Sequence, residues 1–159
     1  MTKSRENLAT VYAERSIQAA RNLARADRAD TNDRHPEARL FRALAQAQTV
    51  QATKALLILQ GMAEETPDAI NAAGAETELT SQMLQAMVMT AATEREPMIE
   101  SCAIQFSRAS SSHATMLQRV SQKPEAYHVC QICGHMVTQP IPERCPVCRA
   151  VADQFLMVE

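Results

Sequence analysis

The sequence predicts a mainly α-helical protein in which a bundle of four helices precedes a small domain held together by a metal ion. Two observations carry this prediction. Residues 1–122 are rich in alanine, glutamine, methionine and arginine, which lose little rotamer freedom in a helix, and the whole chain has only three glycines. Residues 127–159 instead contain two pairs of cysteines and three of the seven prolines, a composition typical of short strands and turns.

Caps and helix breakers predict the bounds of the helices. Ser4 suits a helix N-cap, Pro36 and Pro97 suit helix starts, and Gly61 suits a helix end. The predicted helices span residues 4–30, 36–60, 76–93 and 97–121. Turn-forming residues predict a crossover at 62–75, and residues 123–126 are a predicted linker between a bundle of 1–122 and a metal domain of 127–159.

Hydrophobic periodicity predicts which face of two helices is buried. In the second helix the 3-4 spacing selects a seam with two glutamines at its centre: Phe41, Leu44, Gln48, Gln51, Ala55, Ile58 and Met62. In the fourth helix it selects Ile99, Cys102, Phe106, Ala109, His113, Met116 and Val120. The scarcity of aromatic residues, 3% of the chain, means that the core must be built from aliphatic side chains.

The charge and hydropathy of the chain exclude several classes of partner. A net charge of −2 gives no electrostatic basis for binding nucleic acid or an acidic membrane. The longest apolar run, residues 55–59, is too short to span a bilayer, and the first residues lack an apolar signal segment. We therefore expect a soluble, cytoplasmic protein.

The cysteines form two matched knuckles, Cys130-Gln-Ile-Cys133 and Cys145-Pro-Val-Cys148. Four thiolates at this spacing can occupy the corners of one tetrahedron, an arrangement that selects zinc or a single iron. Gly134 and Pro146 suit the tight turns that such knuckles need. Two disulfides are the alternative, which is disfavoured because the cytosol keeps thiols reduced. We predict one iron or zinc ion per chain.

The residues that carry a family resemblance are spread along the chain: Glu6-Asn-Leu8, Phe41, Ala45, Cys130-x-x-Cys133-Gly134, Cys145-Pro-x-Cys148 and Phe155. On these residues the chain resembles the rubrerythrin family. The resemblance implies a ferritin-like four-helix bundle with one long crossover, followed by a rubredoxin-like four-cysteine domain. It also implies a homodimer formed through the bundle, and a mononuclear iron that passes single electrons to a di-iron site, where hydrogen peroxide is reduced.

The chain departs from the family at the di-iron ligands. Such bundles take one Glu from each of two helices and Glu-x-x-His from the other two, and none of the predicted helices contains Glu-x-x-His. The ligand positions that the resemblance implies hold Arg15, Gln48 and Gln51 in the first half of the chain. In the second half they fall near Met87, Thr90, His113 and Met116, or one residue earlier at Ser112 and Thr115. We therefore expect no di-iron centre and assign no catalytic residue.

The remaining polar residues have structural interpretations. Gln48 and Gln51 are expected to be buried amides bonded to each other or to Arg15, because buried amides need partners. Whether Arg15 or its neighbour Glu14 points inward is left open. His113 is expected to be a satisfied core residue. His128 and His135 flank the cysteine site and are expected at the surface, because four thiolates already complete a metal shell.

Three functions remain open from the sequence. The first is one-electron transfer by iron in the four-cysteine site, with a redox partner protein. The second is a zinc-stapled structural or interaction module without redox activity. The third is a peroxidase with unusual ligands from Glu14, Glu78, Glu94, Glu96 and His113. The missing di-iron ligands weigh against an enzyme.

Overall fold

The computed structural model describes residues 2–60, 66–122 and 124–159, which divide into two compact units, Met1–Glu64 and Glu65–Glu159. The first unit is an antiparallel hairpin of α1 (Lys3–Thr31) and α2 (His35–Gln60). The second contains α3 (Thr66–Glu94), α4 (Pro97–Gln118), a 3₁₀ turn (Val120–Gln122) and a small sheet. The sheet consists of β1 (Tyr127–Cys130), β2 (Met136–Val137) and β3 (Phe155–Val158), with a second 3₁₀ turn, Ala152–Gln154, before β3.

An alanine seam joins α1 to α2. The buried apolar residues of the two helices are all alanines at 3-4 spacing: Ala19, Ala26, Ala29, Ala38, Ala45, Ala52 and Ala55. Their small side chains allow the helices to approach closely. The seam predicted for α2 is therefore wrong at three of its six described positions, and its seventh position, Met62, lies outside the described residues. Leu44 and Ile58 are 40% and 48% exposed and Gln51 is exposed, because the prediction favoured large apolar side chains over the neighbouring alanines.

The turn between α1 and α2 is closed by backbone hydrogen bonds. The N–H of Arg34 donates to the carbonyl of Ala29 at 2.8 Å, and Asp33 takes a left-handed conformation with φ of 56°, as in a Schellman motif. Asp30 lies at the same end of the hairpin. The hydrogen bond from Arg42, followed by that from His35, lowers the pKa of the Asp30 carboxyl below its ordinary value.

The helix α3 begins ten residues before its predicted start at 76. Residues 66–75, which belong to the predicted crossover at 62–75, are helical; residues 61–65 lie outside the described part of the chain. The turn signal of Gly74 was misleading, because an isolated glycine inside a helix costs only about 1 kcal/mol relative to alanine. Pro67 lies at the second helical position. The first N–H groups of a helix have no partner within the helix, so the missing N–H of proline removes no hydrogen bond there.

The seam between α3 and α4 is also lined by small residues and one leucine. Its buried members are Leu84, Ala91, Ala103 and Ser110. The seam predicted for α4 is right at Ala109, which is buried, and wrong at Ile99, Phe106 and Val120, which are 46%, 45% and 44% exposed. The helix ends at Gln118 rather than at 121, and the chain continues in the 3₁₀ turn. The predicted bounds of α1, α2 and the start of α4 agree with the structure within one residue.

The sheet of the second unit is antiparallel, with β1 between β2 and β3. His128 pairs with Val137 on one side and with Met157 on the other. The core of this domain consists of three buried cysteines, packed against Val147, Cys148, Ala150 and Phe155. No helix in the described residues is long and apolar enough to cross a membrane.

Candidate metal centre

The four predicted ligands converge at one point. The Sγ atoms of Cys130 and Cys148 are 3.6 Å apart, as are those of Cys133 and Cys145, and all four sulfurs lie within 4.8 Å of one another. A tetrahedron with metal–sulfur bonds of about 2.3 Å has sulfur–sulfur edges of about 3.8 Å. The spacing excludes disulfides, whose sulfurs are about 2.05 Å apart. The sulfur atoms therefore suit one tetrahedrally bound ion.

The two knuckles repeat the same backbone geometry. In the first, the N–H of Gly134 donates to the carbonyl of Cys130 at 2.9 Å, and in the second the N–H of Arg149 donates to that of Cys145 at 2.9 Å. Gly134 and Arg149 both have left-handed backbones, with φ of 76° and 67°. This conformation favours glycine, so Arg149 bears a conformational cost of about 1–2 kcal/mol. The left-handed backbone at Arg149 is needed because it turns the chain around the sulfurs.

Backbone N–H groups of the knuckles point at the sulfurs. Burial opposes ionisation of Cys130, but the N–H groups of Ile132 and Cys133 outweigh it and lower the pKa of that thiol. Burial raises the pKa of Cys133 although the N–H of His135 donates to its sulfur, and it raises the pKa of Cys148 although Ala150 does the same there. A metal must displace these protons, so its affinity falls as the pH is lowered.

The histidines beside the site are buried or half-buried, which corrects the expectation that they lie at the surface. His128 is 3% exposed, because it occupies the central strand and points to the same side as Cys130. Burial, followed by the charge of nearby His113, lowers the pKa of His135. The ring Nδ1 atoms of both residues are buried and have no hydrogen-bond partner among residues 2–60, 66–122 and 124–159. In the described part of the chain, the cluster of metal-binding atoms at this site consists of the four cysteine sulfurs.

His113 and Ser112 attach the cysteine domain to α4. The Nε2 of His113 lies 2.8 Å from the carbonyl oxygen of Gly134, which can only accept, so this nitrogen carries the proton. Ser112 accepts a hydrogen bond from the N–H of Met136 at 3.0 Å and donates to the carbonyl of Ala109. His113 therefore has a hydrogen-bond partner, as predicted, but it is half-buried and not a core residue. Its partner could not be predicted, because no sequence pattern links position 113 to position 134.

A second side chain, Arg144, makes the corresponding contact in the other knuckle. Its guanidinium donates to the carbonyl of Arg149 at 3.2 Å. The sequence interpretation missed this residue. The sequence signal that could have indicated Arg144 is its position directly before Cys145, at the start of the second Cys-x-x-Cys knuckle, which repeats the first.

The glutamine and arginine at the predicted ligand positions of the first unit belong to an amide network. Asn22 donates to Gln48 across the α1–α2 seam at 2.8 Å, and Gln18 accepts from Arg15 at 2.8 Å. Arg15 is half-buried and Glu14 is exposed, which settles the orientation of this pair. The expected partner of Gln48, either Gln51 or Arg15, is wrong: Gln48 accepts from Asn22, and Gln51 is exposed. The guanidinium of Arg25 completes the network by donating to Asn22 at 2.7 Å.

Comparisons with known proteins agree with this geometry. Residues 128–156 match the family described as the rubredoxin-like domain of rubrerythrin. Three solved structures of nigerythrin, in its partially reduced, mixed-valence and fully reduced (all ferrous) states, are similar to 99% of this chain, which covers 88% of theirs. Their TM-scores are 0.55, 0.52 and 0.55, at 20%, 21% and 20% identity. A comparison with curated protein sequences found no match.

These similarities confirm the resemblance to the rubrerythrin family and the predicted fold class. The sequence match covers the four-cysteine domain alone, and the likeness to nigerythrin extends over nearly the whole chain as a likeness of fold. The chain is therefore a mainly α-helical protein with a fold similar to that of nigerythrin, and its rubredoxin-like domain resembles that of rubrerythrin and could hold one metal ion.

Proposed function

We propose that this protein transfers single electrons through one iron ion bound by Cys130, Cys133, Cys145 and Cys148. The observation that carries the proposal is the set of four sulfurs within 4.8 Å, with backbone N–H groups directed at them. Iron held by four thiolates changes between ferric and ferrous states without changing its ligands, and its potential depends on hydrogen bonds to the sulfurs and on burial.

The solved structures of nigerythrin support iron over other metals. They represent partially reduced, mixed-valence and all-ferrous states of that protein, and our chain has a similar fold. In the proposed cycle the four cysteines would hold an iron ion that would accept one electron from a one-electron reductant protein and would pass that electron to a one-electron acceptor protein. The cytoplasm is the proposed location, because it keeps the four thiols reduced for metal binding.

The helices are proposed to lack a di-iron centre. At the positions implied by the family, Arg15 and Gln48 form a network of amides and guanidinium groups, and His113 is bonded to Gly134. Amides and a guanidinium cannot replace the anionic oxygens that two iron ions require. We therefore do not propose peroxide reduction, and the four-cysteine ion takes electrons from one partner protein and passes them to another.

Zinc is the second candidate metal. The same four sulfurs suit zinc equally well, and the network around Gln48 leaves the helices without a proposed electron acceptor. A zinc-bound chain would be a structural or interaction module with no redox chemistry. The amide network is the specific observation that favours it.

Metal analysis together with a visible spectrum tests the proposal, using protein produced with both iron and zinc available. We expect one iron per chain and thiolate-to-iron absorption bands that bleach with dithionite. One zinc per chain and a colourless protein would refute electron transfer. Anaerobic loading with ferrous iron tests the helices separately: we expect less than about 0.3 additional iron per chain, because the carboxylate ligands are missing.

A second copy of the chain is the proposed partner of the helical hairpins. Each hairpin exposes large apolar side chains, among them Leu40, Leu44, Leu79 and Met83. Residues 2–60 contain ten Lys and Arg against six Asp and Glu, whereas residues 66–122 contain three against six. Opposite net charges favour pairing of unlike hairpins. Light scattering should give twice the chain mass of 17.5 kDa, and a monomer at micromolar concentration would refute the dimer.

A further inference from the structure

Two peptide groups beside the metal site each accept a side-chain hydrogen bond at the carbonyl oxygen and donate a hydrogen bond from the N–H to a cysteine sulfur. The peptide between Gly134 and His135 accepts from His113 at its carbonyl, and its N–H donates to Cys133. The peptide between Arg149 and Ala150 accepts from Arg144, and its N–H donates to Cys148. The two knuckles therefore share one arrangement, although the donors come from different parts of the chain.

A donor at a peptide carbonyl increases the positive charge on the N–H of the same peptide. Hydrogen bonds in such a chain polarise one another, and each becomes stronger than it would be alone. A stronger N–H bond to a thiolate ligand stabilises the more negative state of the metal centre. For an iron centre this is the ferrous state, so the bond raises the reduction potential.

From this geometry we infer that His113 and Arg144 are positioning residues that tune the four-cysteine site, each through one peptide group. The inference rests on the proposed function for its redox readout, but the polarised peptides act on any metal that the thiolates hold. Among the described residues each side chain is hydrogen-bonded to a backbone carbonyl and not to a ligand sulfur, so the proposed effect passes through the peptide group.

The two contacts differ in strength and in sensitivity to salt. His113 is half-buried and bonds at 2.8 Å, whereas Arg144 is exposed and bonds at 3.2 Å. A hydrogen bond in a less polar environment is stronger, and an exposed charge is screened by salt. We therefore expect His113 to have the larger effect, and the effect of Arg144 to disappear at high ionic strength.

The decisive experiment compares His113→Leu, Arg144→Met and the conservative His113→Gln in the full-length iron protein. At a fixed applied potential, H113L should raise the ferric-to-ferrous ratio about threefold, which for a one-electron couple at 59 mV per tenfold is about 28 mV. R144M should raise it by less than about twofold and only at low salt. H113Q retains a donor and should restore most of the wild-type ratio.

Two further variants separate tuning from attachment of the domain. Ser112→Ala removes the neighbouring contact to Met136 and leaves the polarised peptide intact, so it should not change the ratio. His35→Leu is the matched histidine control, because His35 bonds Asp30 in the first unit. A shift in S112A as large as that in H113L would show that loose docking is the cause, and would overturn the inference.

The zinc-loaded protein gives an independent readout. In the NMR spectrum of H113L the amide proton of His135 should shift upfield, as expected for a weaker hydrogen bond, while the shift of the Ala150 amide proton stays unchanged. In R144M the Ala150 amide proton should shift upfield, while that of His135 stays unchanged. A protein that binds only zinc would refute electron transfer but leave this test available. Unchanged amide shifts in both variants would overturn the inference, whichever metal is bound.

Discussion

Removal of one cysteine ligand should unfold the cysteine domain and leave the helices formed. Cys145 is the most informative position, because it is 0% exposed and belongs to the cluster at the centre of the domain. The variant Cys145→Ser keeps the size of the side chain nearly constant and removes a thiolate. The matched control is Cys102→Ser, which changes a free cysteine of α4 that lies outside the four-cysteine cluster.

The structure sets the magnitude of this effect. Apart from cysteines, the apolar side chains packed against the buried cluster in the described residues are those of Val147, Ala150 and Phe155, all partly buried. Even full burial would stabilise the domain by no more than about 3 kcal/mol each. A structural metal ion contributes about 10–16 kcal/mol at neutral pH. A bound ion would therefore be the largest single stabilising interaction of this domain.

Amide hydrogen exchange and far-ultraviolet circular dichroism measure the two parts of this prediction. In C145S, protection should be lost across 127–159 and reduced in α4 near Ser112, where the docking bond to Met136 disappears. The helical ellipticity should fall by less than about a tenth, because the helices make their own seams. Retained protection in the domain, or melting of the helices as well, would refute the reasoning. C102S should resemble the unaltered protein.

Three further predictions concern the first helical hairpin. Ala45→Leu should destabilise the protein by about 1–3 kcal/mol in urea denaturation because it overpacks the seam, whereas Ala43→Leu on the exposed side of α2 should change stability by less than about 0.5 kcal/mol. Asn22→Leu should lower the free energy of unfolding by about 1–3 kcal/mol, because it leaves the Gln48 side chain without its hydrogen-bond donor. The double variant N22L/Q48L should recover part of this stability. If the losses of the two single variants simply add in the double variant, the bond does not contribute. The carboxyl of Asp30 has a lowered pKa in the folded protein, so it stabilises the fold above its ordinary pKa of about 3.9, and this stabilisation is lost as the pH falls through the lower folded value. In melting temperatures measured across acidic pH, Asp30→Asn should therefore weaken the dependence on pH. A variant whose melting temperature falls with acid as steeply as that of the unaltered protein would contradict this prediction.

The metal site was predictable because its chemistry is encoded locally. Two Cys-x-x-Cys knuckles place their ligands through short turns, and the four sulfurs meet as predicted. The docking of this domain on α4 was not predictable, since the contact of His113 with Gly134 joins residues far apart in sequence. Likewise, the spacing predicts that His128 and His135 flank the site, but their burial depends on the strand pairing.

The helices were predictable, whereas their contact faces were only partly so. Composition and helix breakers predicted the bounds of α1 and α2, because these signals act within a few residues of each end. The contact face of α2 was misjudged because hydrophobic periodicity gives weight to Leu44 and Ile58, although the close contact is made by Ala45 and Ala52. Small residues contribute little to an amphipathic pattern, so a sequence cannot distinguish an alanine seam from an ordinary exposed face.

The alanine seam has a consequence for how the chain folds. Its contacts join helices separated by a three-residue turn, so they close short loops and should form on the microsecond timescale. Alanine side chains lose no rotamer entropy, but they also remove little apolar surface from water. The hairpin of α1 and α2 should therefore appear early in folding, as a transient species of low stability. Burial of its exposed leucines would come later, in a slower step whose rate depends on protein concentration if the second surface belongs to another chain.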